Sequence, residues 1–185
     1  MKMRLTSILV VLFIAAAPAT VEATEQGRVD RRAAIDTMAW DTMERLFMEN
    51  DSARALATHA KGWAVFDSFK AAFIVSGGGG VGVAVDEDSG ERTYMKMGTG
   101  GIGLGVGGQS YQVVFLFEDR ATLRRFVDKG WAADASANAV AGTSGRNHDA
   151  SFNHGVAVFQ LTNKGLMAQV DISGTKYWKH RKLNR

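Results

Sequence analysis

An amphipathic helix is predicted between Asp30 and Asn50, where apolar residues recur at three- and four-residue spacing. The apolar stripe comprises Ile35, Met38, Ala39, Met43, Leu46 and Phe47. The opposite face carries Asp36, Asp41, Glu44 and Glu49. A second, short helix is predicted to run through His59, with Asp51 or Ser52 capping its N-terminus. Since the polar face of the long helix is acidic, we expect its apolar stripe to pack on the sheet, and insertion of this stripe into a membrane is the alternative.

Beyond these helices the hydrophobic period changes to two, which indicates β-strands. The predicted strands are residues 63–66, 69–75, 81–85, 92–97 and 111–117. The glycine cluster at 77–80 is predicted to join two strands, and the acidic segment 86–90 is predicted to be a turn. Residues 111–117 are almost all apolar, as expected of a strand that is covered on both faces.

Glycine alternates with branched apolar residues between Gly101 and Gly107, so one face of that strand carries no side chains. Residues 81–85 repeat part of this pattern. A glycine destabilises a strand by roughly 0.5–1 kcal/mol relative to alanine, so a helix, another strand or a ligand must approach the glycine face closely. Packing within the protein is the favoured explanation, because conformational requirements account for most glycines.

One internal helix is predicted from Arg120 to Asp128, because its apolar residues share one face. Asp119 is placed to cap this helix and Gly130 to end it. The alanine-rich residues 131–141 predict a tight helix or an irregular segment.

A β-hairpin is predicted near the C-terminus, with strands at 156–161 and 166–172 around a turn at 162–165. The order of elements is helices, antiparallel strands, one helix and a hairpin. The sequence therefore predicts an α+β fold: N-terminal helices packed on a strongly bent, glycine-rich antiparallel sheet or small barrel, with one internal helix.

The N-terminus predicts an export signal that is separate from this fold. Two basic residues precede an apolar run at 8–17, which has the length of a signal-peptide core and is too short to span a bilayer. Small residues follow, and they predict cleavage after Ala19 or Ala23. We expect a signal peptide at 1–23, a single domain at 24–185, and a periplasmic or secreted protein. An uncleaved anchor is the alternative.

Composition sets limits on the class of protein. A chain of 185 residues with 46% hydrophobic and 22% charged residues fits one globular domain and neither a disordered chain nor a polytopic membrane protein. The formal net charge of +3 does not imply nucleic-acid binding. The absence of cysteine excludes disulfides and thiolate chemistry. Since no cysteine follows the apolar run, a lipid-modified N-terminus is also excluded.

No catalytic, metal or cofactor site is predicted. Three G-x-G-x-x-G matches begin at Gly77, Gly98 and Gly103, but strands rather than a helix follow them, so the context for binding a dinucleotide is missing. His148 and His154 have no spacing typical of a zinc site. We therefore expect a protein that is not an enzyme and has no cofactor.

Two groups of basic residues remain as candidates for binding. The C-terminal group has aromatic neighbours and comprises Lys176, Tyr177, Trp178, Lys179, Arg181 and Lys182. The group on the internal helix comprises Arg120, Arg124 and Arg125. Basic residues beside aromatic ones suit an anionic lipid surface, where each cation contributes about 1 kcal/mol. A solubilising tail is the alternative for the C-terminal group.

Several motifs in order resemble one known family. They are AFIVSGGGGVG at 72–82, GIGLGVGGQSYQVV at 101–114, FVDKGW at 126–131 and AVAG at 139–142. This sequence resembles the SYLF-domain family over roughly residues 55–180. The resemblance implies a lipid-binding module without enzymatic activity. It also implies that eukaryotic relatives bind phosphoinositides or actin, whereas bacterial relatives are mostly exported proteins.

These observations predict a non-enzymatic envelope protein that binds anionic phospholipid at membrane surfaces. Charge would come from the basic residues of both groups, with Tyr177 and Trp178 at the interface. The alternative is a structural or interaction protein of the periplasm. In that case the glycine-rich sheet faces would support self-association or bind an envelope partner.

Overall fold

The fold is built from two N-terminal helices, an antiparallel sheet and one internal helix. The computed structural model describes residues 18–72, 75–102, 107–132, 150–167 and 174–185. The helices are α1 (Pro18–Glu49), α2 (Asp51–Ala57) and α3 (Arg120–Lys129). The strands are β1 (Gly62–Ala72), β2 (Val75–Asp86), β3 (Arg92–Ile102), β4 (Gly107–Phe117), β5 (Trp131–Ala132), β6 (Val156–Thr162), β7 (Gly165–Leu166) and β8 (Thr175–Lys179).

The eight strands form one sheet in the order β5-β8-β3-β2-β1-β4-β6-β7, and every described pairing is antiparallel. The sheet curls into a half-barrel. Tyr177 in β8 and Phe115 in β4 are separated by four strand spacings, about 19 Å in a flat sheet. Their ring centroids are nevertheless only 5.1 Å apart, which shows how strongly the sheet bends. The predicted α+β fold with a bent antiparallel sheet is confirmed.

The sheet has two buried faces, because alternate side chains of each strand point to opposite sides. On the inner, concave face, aromatic residues of β1, β4 and β8 pack with Leu123 and Phe126 of α3. On the outer face, α1 packs through Ile35, Ala39 and Leu46. This arrangement explains the apolar run of β4, in which residues 113–117 are all fully buried between the two layers.

The helix boundaries differ from the prediction at the N-terminus. The first helix, α1, begins at Pro18 rather than near Asp30. Proline is tolerated in a first turn, because the amide that it lacks has no partner inside the helix. The N-cap of α2 is Asn50, whose side chain accepts a hydrogen bond from the Ala53 amide at 2.8 Å, and not Asp51 or Ser52. The remainder of the predicted signal peptide, residues 1–17, lies outside the described residues.

The glycine cluster at 77–80 was predicted as a connection, and this prediction is wrong. All four glycines lie inside β2, where they pair with Phe69 to Ala71 and neighbouring residues of β1 on one side and with β3 on the other. The predicted strand at 63–66 and residues 69–72 of the next one form a single continuous strand, β1, whereas Val75 already begins β2. Strands on both sides satisfy the backbone hydrogen bonds of the glycines, so pairing determines their structure rather than their turn propensity.

In the second half, the internal helix is confirmed, and the predicted hairpin is present as β6 and β7, although β7 ends at Leu166. Helix α3 has Asp119 as its N-cap and Gly130 as its C-cap. The segment predicted as a helix or irregular begins instead with strand β5, and the rest of it lies outside the described residues, as do the glycine run at 103–106 and residues 168–173. The C-terminal residues are not a free tail, because Thr175–Lys179 forms β8 between β5 and β3.

Candidate functional site

The nine predicted lipid-binding residues fall on three different parts of the molecule. Arg120, Arg124 and Arg125 lie on α3, which covers the inner face. Lys176, Tyr177, Trp178 and Lys179 lie in β8 and alternate between the two faces of the sheet. Arg181 and Lys182 lie in the turn that follows β8. The structure therefore does not bring all nine together.

Tyr177 is a core residue, and its predicted position at a membrane interface is wrong. Its side chain is 2% exposed and its ring packs against Phe66, with the ring centroids 4.8 Å apart. Burial raises the pKa of its phenol well above the ordinary value. An odd position in β8 faces the concave side of the sheet, so Tyr177 points inward while its neighbours in the sequence point outward.

Arg120 joins the start of α3 to the end of strand β2. Its Nε and Nη2 lie 2.9 and 2.8 Å from Oδ2 of Asp86, the last residue of β2. Burial alone would raise the pKa of Asp86. The hydrogen bond from the Ser89 amide and the Arg120 guanidinium outweigh that effect and hold this pKa below its usual range. The charge of Arg120 is thus already engaged by an internal carboxylate.

Lys179 and Arg125 also have partners within the protein. Lys179 Nζ lies 2.8 Å from Asp128 Oδ1 of α3, and the hydrogen bond from this lysine lowers the pKa of Asp128. Arg125 Nη2 donates to Thr122 Oγ1 at 2.8 Å. The Lys179 pair is exposed, so it contributes little to stability, but it reduces the positive charge that β8 presents on this side.

Of the other predicted cations, Arg124 lies on α3, whereas Lys176, Arg181 and Lys182 lie near Trp178. Trp178 is 44% exposed, and its ring lies 3.0 Å from the position that a Cβ of Gly98 would occupy. Lys96 in β3 is directly opposite Trp178 in the ladder. We call this surface the Trp178 patch, and its residues are Lys96, Lys176, Trp178, Arg181 and Lys182. Within the described residues, none of its four cations lies within 4 Å of a carboxylate.

The positive potential of the Trp178 patch affects a histidine beside it. Burial lowers the pKa of His180, and the charges of Lys96, Arg31 and Lys182 lower it further. Arg31 of α1, Lys96 of β3 and Lys182 of the C-terminal turn all lie around this histidine. Sequence analysis missed Lys96 and Arg31, because only the strand register and the packing of α1 bring them to the C-terminal residues.

Next to the patch, the outer face has an area without large side chains, which we call the glycine floor. It comprises Gly77, Gly79, Gly98 and Gly100 of β2 and β3. Among the described residues, a Cβ at Gly77 or Gly100 would meet nothing within 4 Å. Phe69 stands beside the floor and is 54% exposed. A trough of about 460 Å³ runs past Phe69 and Gly79 to Lys96, so the floor and the patch are continuous.

Other candidate chemistry gains no support from this geometry. His148, which was considered with His154 as a zinc ligand, lies outside the described residues. Among the described helices, none combines the length and apolarity needed to cross a bilayer.

Comparison with known proteins agrees with the sequence motifs. A family model described as "Ysc84: Las17-binding protein actin regulator" matches residues 98–185. Beta cell expansion factor A of Aeromonas veronii is 44% identical over 154 residues, which cover 83% of this chain and 59% of that protein. The chain thus spans about three fifths of this relative's length.

The family match begins in β3 and includes the second glycine motif, α3 and the Trp178 patch except Lys96. The first glycine motif, at 72–82, lies before it. Members of the family are known as binding and regulatory proteins rather than enzymes, which supports a binding role. The resemblance to the SYLF, or Ysc84, family is thus confirmed by a family match over residues 98–185.

Proposed function

We propose that this protein binds anionic phospholipid bilayers as a peripheral protein of the cell envelope. The observation that carries the proposal is the Trp178 patch, where a half-exposed indole lies among four cations without carboxylate partners in the described structure. Tryptophan is favoured at the headgroup level of membranes, and basic residues near an anionic leaflet each contribute about 1 kcal/mol.

The shape of the surface supports a bilayer as the partner. The Trp178 patch is continuous with the glycine floor and with Phe69, so cations and exposed aromatic rings lie on the same outer face. A floor without side chains lets headgroups approach the backbone closely. The envelope location rests on the export signal expected from residues 1–23, and cell fractionation tests it.

Co-sedimentation with vesicles tests the lipid partner. The protein should bind vesicles that contain phosphatidylglycerol and not neutral phosphatidylcholine vesicles, and the binding should weaken as salt rises. The triple variant K176Q/R181Q/K182Q should bind about 100-fold more weakly, since three cations at about 1 kcal/mol each are removed.

A matched triple variant on α3 provides the control. R124Q/R125Q/K129Q removes the same charge, so it should reduce binding much less if the Trp178 patch is the contact surface. Equal losses in the two triples would show diffuse attraction and contradict a defined surface. If salt does not change the binding, then attraction between the cations and the anionic headgroups does not drive it.

A second candidate function is self-association or partner binding through the glycine floor. No atom of the described structure covers Gly77 or Gly100, and Phe69 offers an apolar anchor beside them. Light scattering after size-exclusion chromatography tests it: F69S should convert an oligomer to a monomer. A wild-type protein that is already monomeric and gains no envelope partner on cross-linking would reject this candidate.

A further inference from the structure

A second cavity opens on the inner side of the sheet, away from the Trp178 patch. The half-barrel is not closed by the described strands, and β5 and β6 lie at the two sides of its opening. Between them is a cavity of about 290 Å³ lined by aromatic residues of β4, α3 and β5 together with Val156. The aromatic lining residues are Phe115, Phe117, Phe126 and Trp131.

Two cations and a histidine lie at the rim of this cavity. Arg125 and Lys129 from α3 and His154 from the turn before β6 line it. None of the three forms an ion pair within 4 Å among the described residues. Arg125 lies close enough to Asp119 for its charge to lower the pKa of that carboxyl group. Asp119 is the N-cap of α3, however, and accepts hydrogen bonds from the amide and the hydroxyl of Thr122 at 2.8 and 2.9 Å.

The backbone holds His154 at the rim in an unusual conformation. His154 and Gly155 have φ of 53° and 79°, and the amides of Asn153 and Val156 donate to each other's carbonyl oxygens at 2.9 and 3.1 Å. Positive φ at both central residues is the geometry of a tight type I′ turn. Histidine is one of the few residues other than glycine that accept this region, and such residues are frequent at binding sites.

We propose that this cavity binds a single-chain amphiphile with an anionic head, such as a medium-chain fatty acid. Its apolar walls suit a hydrocarbon chain, and the carboxylate would lie against Arg125, Lys129 and His154. A cavity of about 150 Å³ accepts benzene, and drug-sized ligands occupy upwards of about 300 Å³. The observed 290 Å³ therefore fits one chain and not a two-chain phospholipid.

Fluorescence quenching by 10-bromodecanoate tests the site, because bromine quenches an indole only at close range. We expect saturable quenching of the protein that decanoate reverses and that decyltrimethylammonium, with the same chain and the opposite charge, does not. W131F should lose the saturable component. R125Q/K129Q keeps Trp131 and should bind about tenfold more weakly, since two exposed charges are removed.

Three results would overturn the proposal: no saturable quenching, equal competition by the cationic amphiphile, or unchanged quenching in W131F. Circular dichroism of each variant confirms that it is folded. K176Q/R181Q/K182Q should keep full decanoate binding, because its substitutions lie on the outer face and beyond. The proposed ligand of the cavity and the proposed bilayer-binding surface are therefore tested independently of each other.

Discussion

The glycines of β2 differ in what a side chain would meet. A Cβ at Gly82 would lie 2.1 Å from the Val65 carbonyl oxygen and 2.6 Å from the Phe66 ring, whereas one at Gly77 would meet nothing within 4 Å. Gly82 thus lets the Phe66 ring pack in the concave core. Packing within the protein was the favoured explanation of the glycines, and it accounts for Gly82 but not for the open glycine floor.

This difference predicts opposite effects of the same substitution. G82A should lower the free energy of unfolding by about 1–3 kcal/mol, because strand β1 must shift to admit the methyl group. G77A, the matched control in the same strand, should raise it by roughly 0.5–1 kcal/mol, because alanine loses less entropy on folding. Urea denaturation measures both. Destabilisation by G77A of the same size would show that the glycine floor is also closely packed.

At the scale of elements, two carboxylates with lowered pKa stabilise α3: Asp119 caps its first turn, and Asp86 links it to the sheet. Asp119 caps the helix by accepting hydrogen bonds from Thr122, and these bonds lower its pKa. Asp86 joins β2 to Arg120, and its pKa is also below the ordinary value. Since both groups bind protons less readily in the folded state, their stabilisation is complete above their unfolded pKa and is lost as pH falls through the folded values.

The free energy of unfolding should therefore decrease on acidification below about pH 4, the usual range of an aspartate. D86N should flatten this decrease and destabilise the protein at neutral pH by about 1.5–3 kcal/mol, the value of hydrogen bonds to a charged group. Urea titrations between pH 7 and 2.5 measure both effects. D88N is the control, because Asp88 is exposed and lies 4.0 Å from Arg120. An equal effect of D88N would refute the assignment.

How far the sequence predicts these elements depends on whether local signals determine them. Helix α3 was predicted with both caps because Asp119 and Gly130 act within one turn. The cluster at 77–80 was misassigned because its pairing with β1 and β3 is a long-range property. Tyr177 was placed at the surface because strand β8 was not predicted, and only its register shows which side chains point inward.

At the scale of the whole molecule, the two proposed ligands use opposite faces of one curved sheet. The Trp178 patch and the glycine floor lie on the outer face beyond α1, and the cavity lies at the opening of the inner face. Both sites depend on residues that are distant in the sequence, such as Lys96 with Trp178, or Phe115 with Trp131. The sequence alone identifies the basic and aromatic residues as candidates for binding. Their distribution between the two faces of the sheet depends on the strand register and on the curvature of the sheet.

The position of the patch predicts how the protein is oriented on a bilayer. Trp40 on α1 and Trp178 are both about half exposed, at 49% and 44%. Trp40 contacts Trp63 edge to face. The row of Trp63 in the sheet is four residues from the row of Trp178, about 13 Å along the strands. Binding through the patch should bury Trp178 in the headgroups and leave Trp40 in water.

Acrylamide quenching with anionic vesicles measures this orientation. Adding phosphatidylglycerol vesicles should protect wild-type emission and W40F emission from acrylamide, because both proteins keep Trp178. W178F should show little protection, since its remaining exposed indole, Trp40, lies away from the membrane. Protection in W178F equal to that in W40F would mean that α1 contacts the bilayer. The membrane-binding surface would then be the outer side of α1 and not the Trp178 patch.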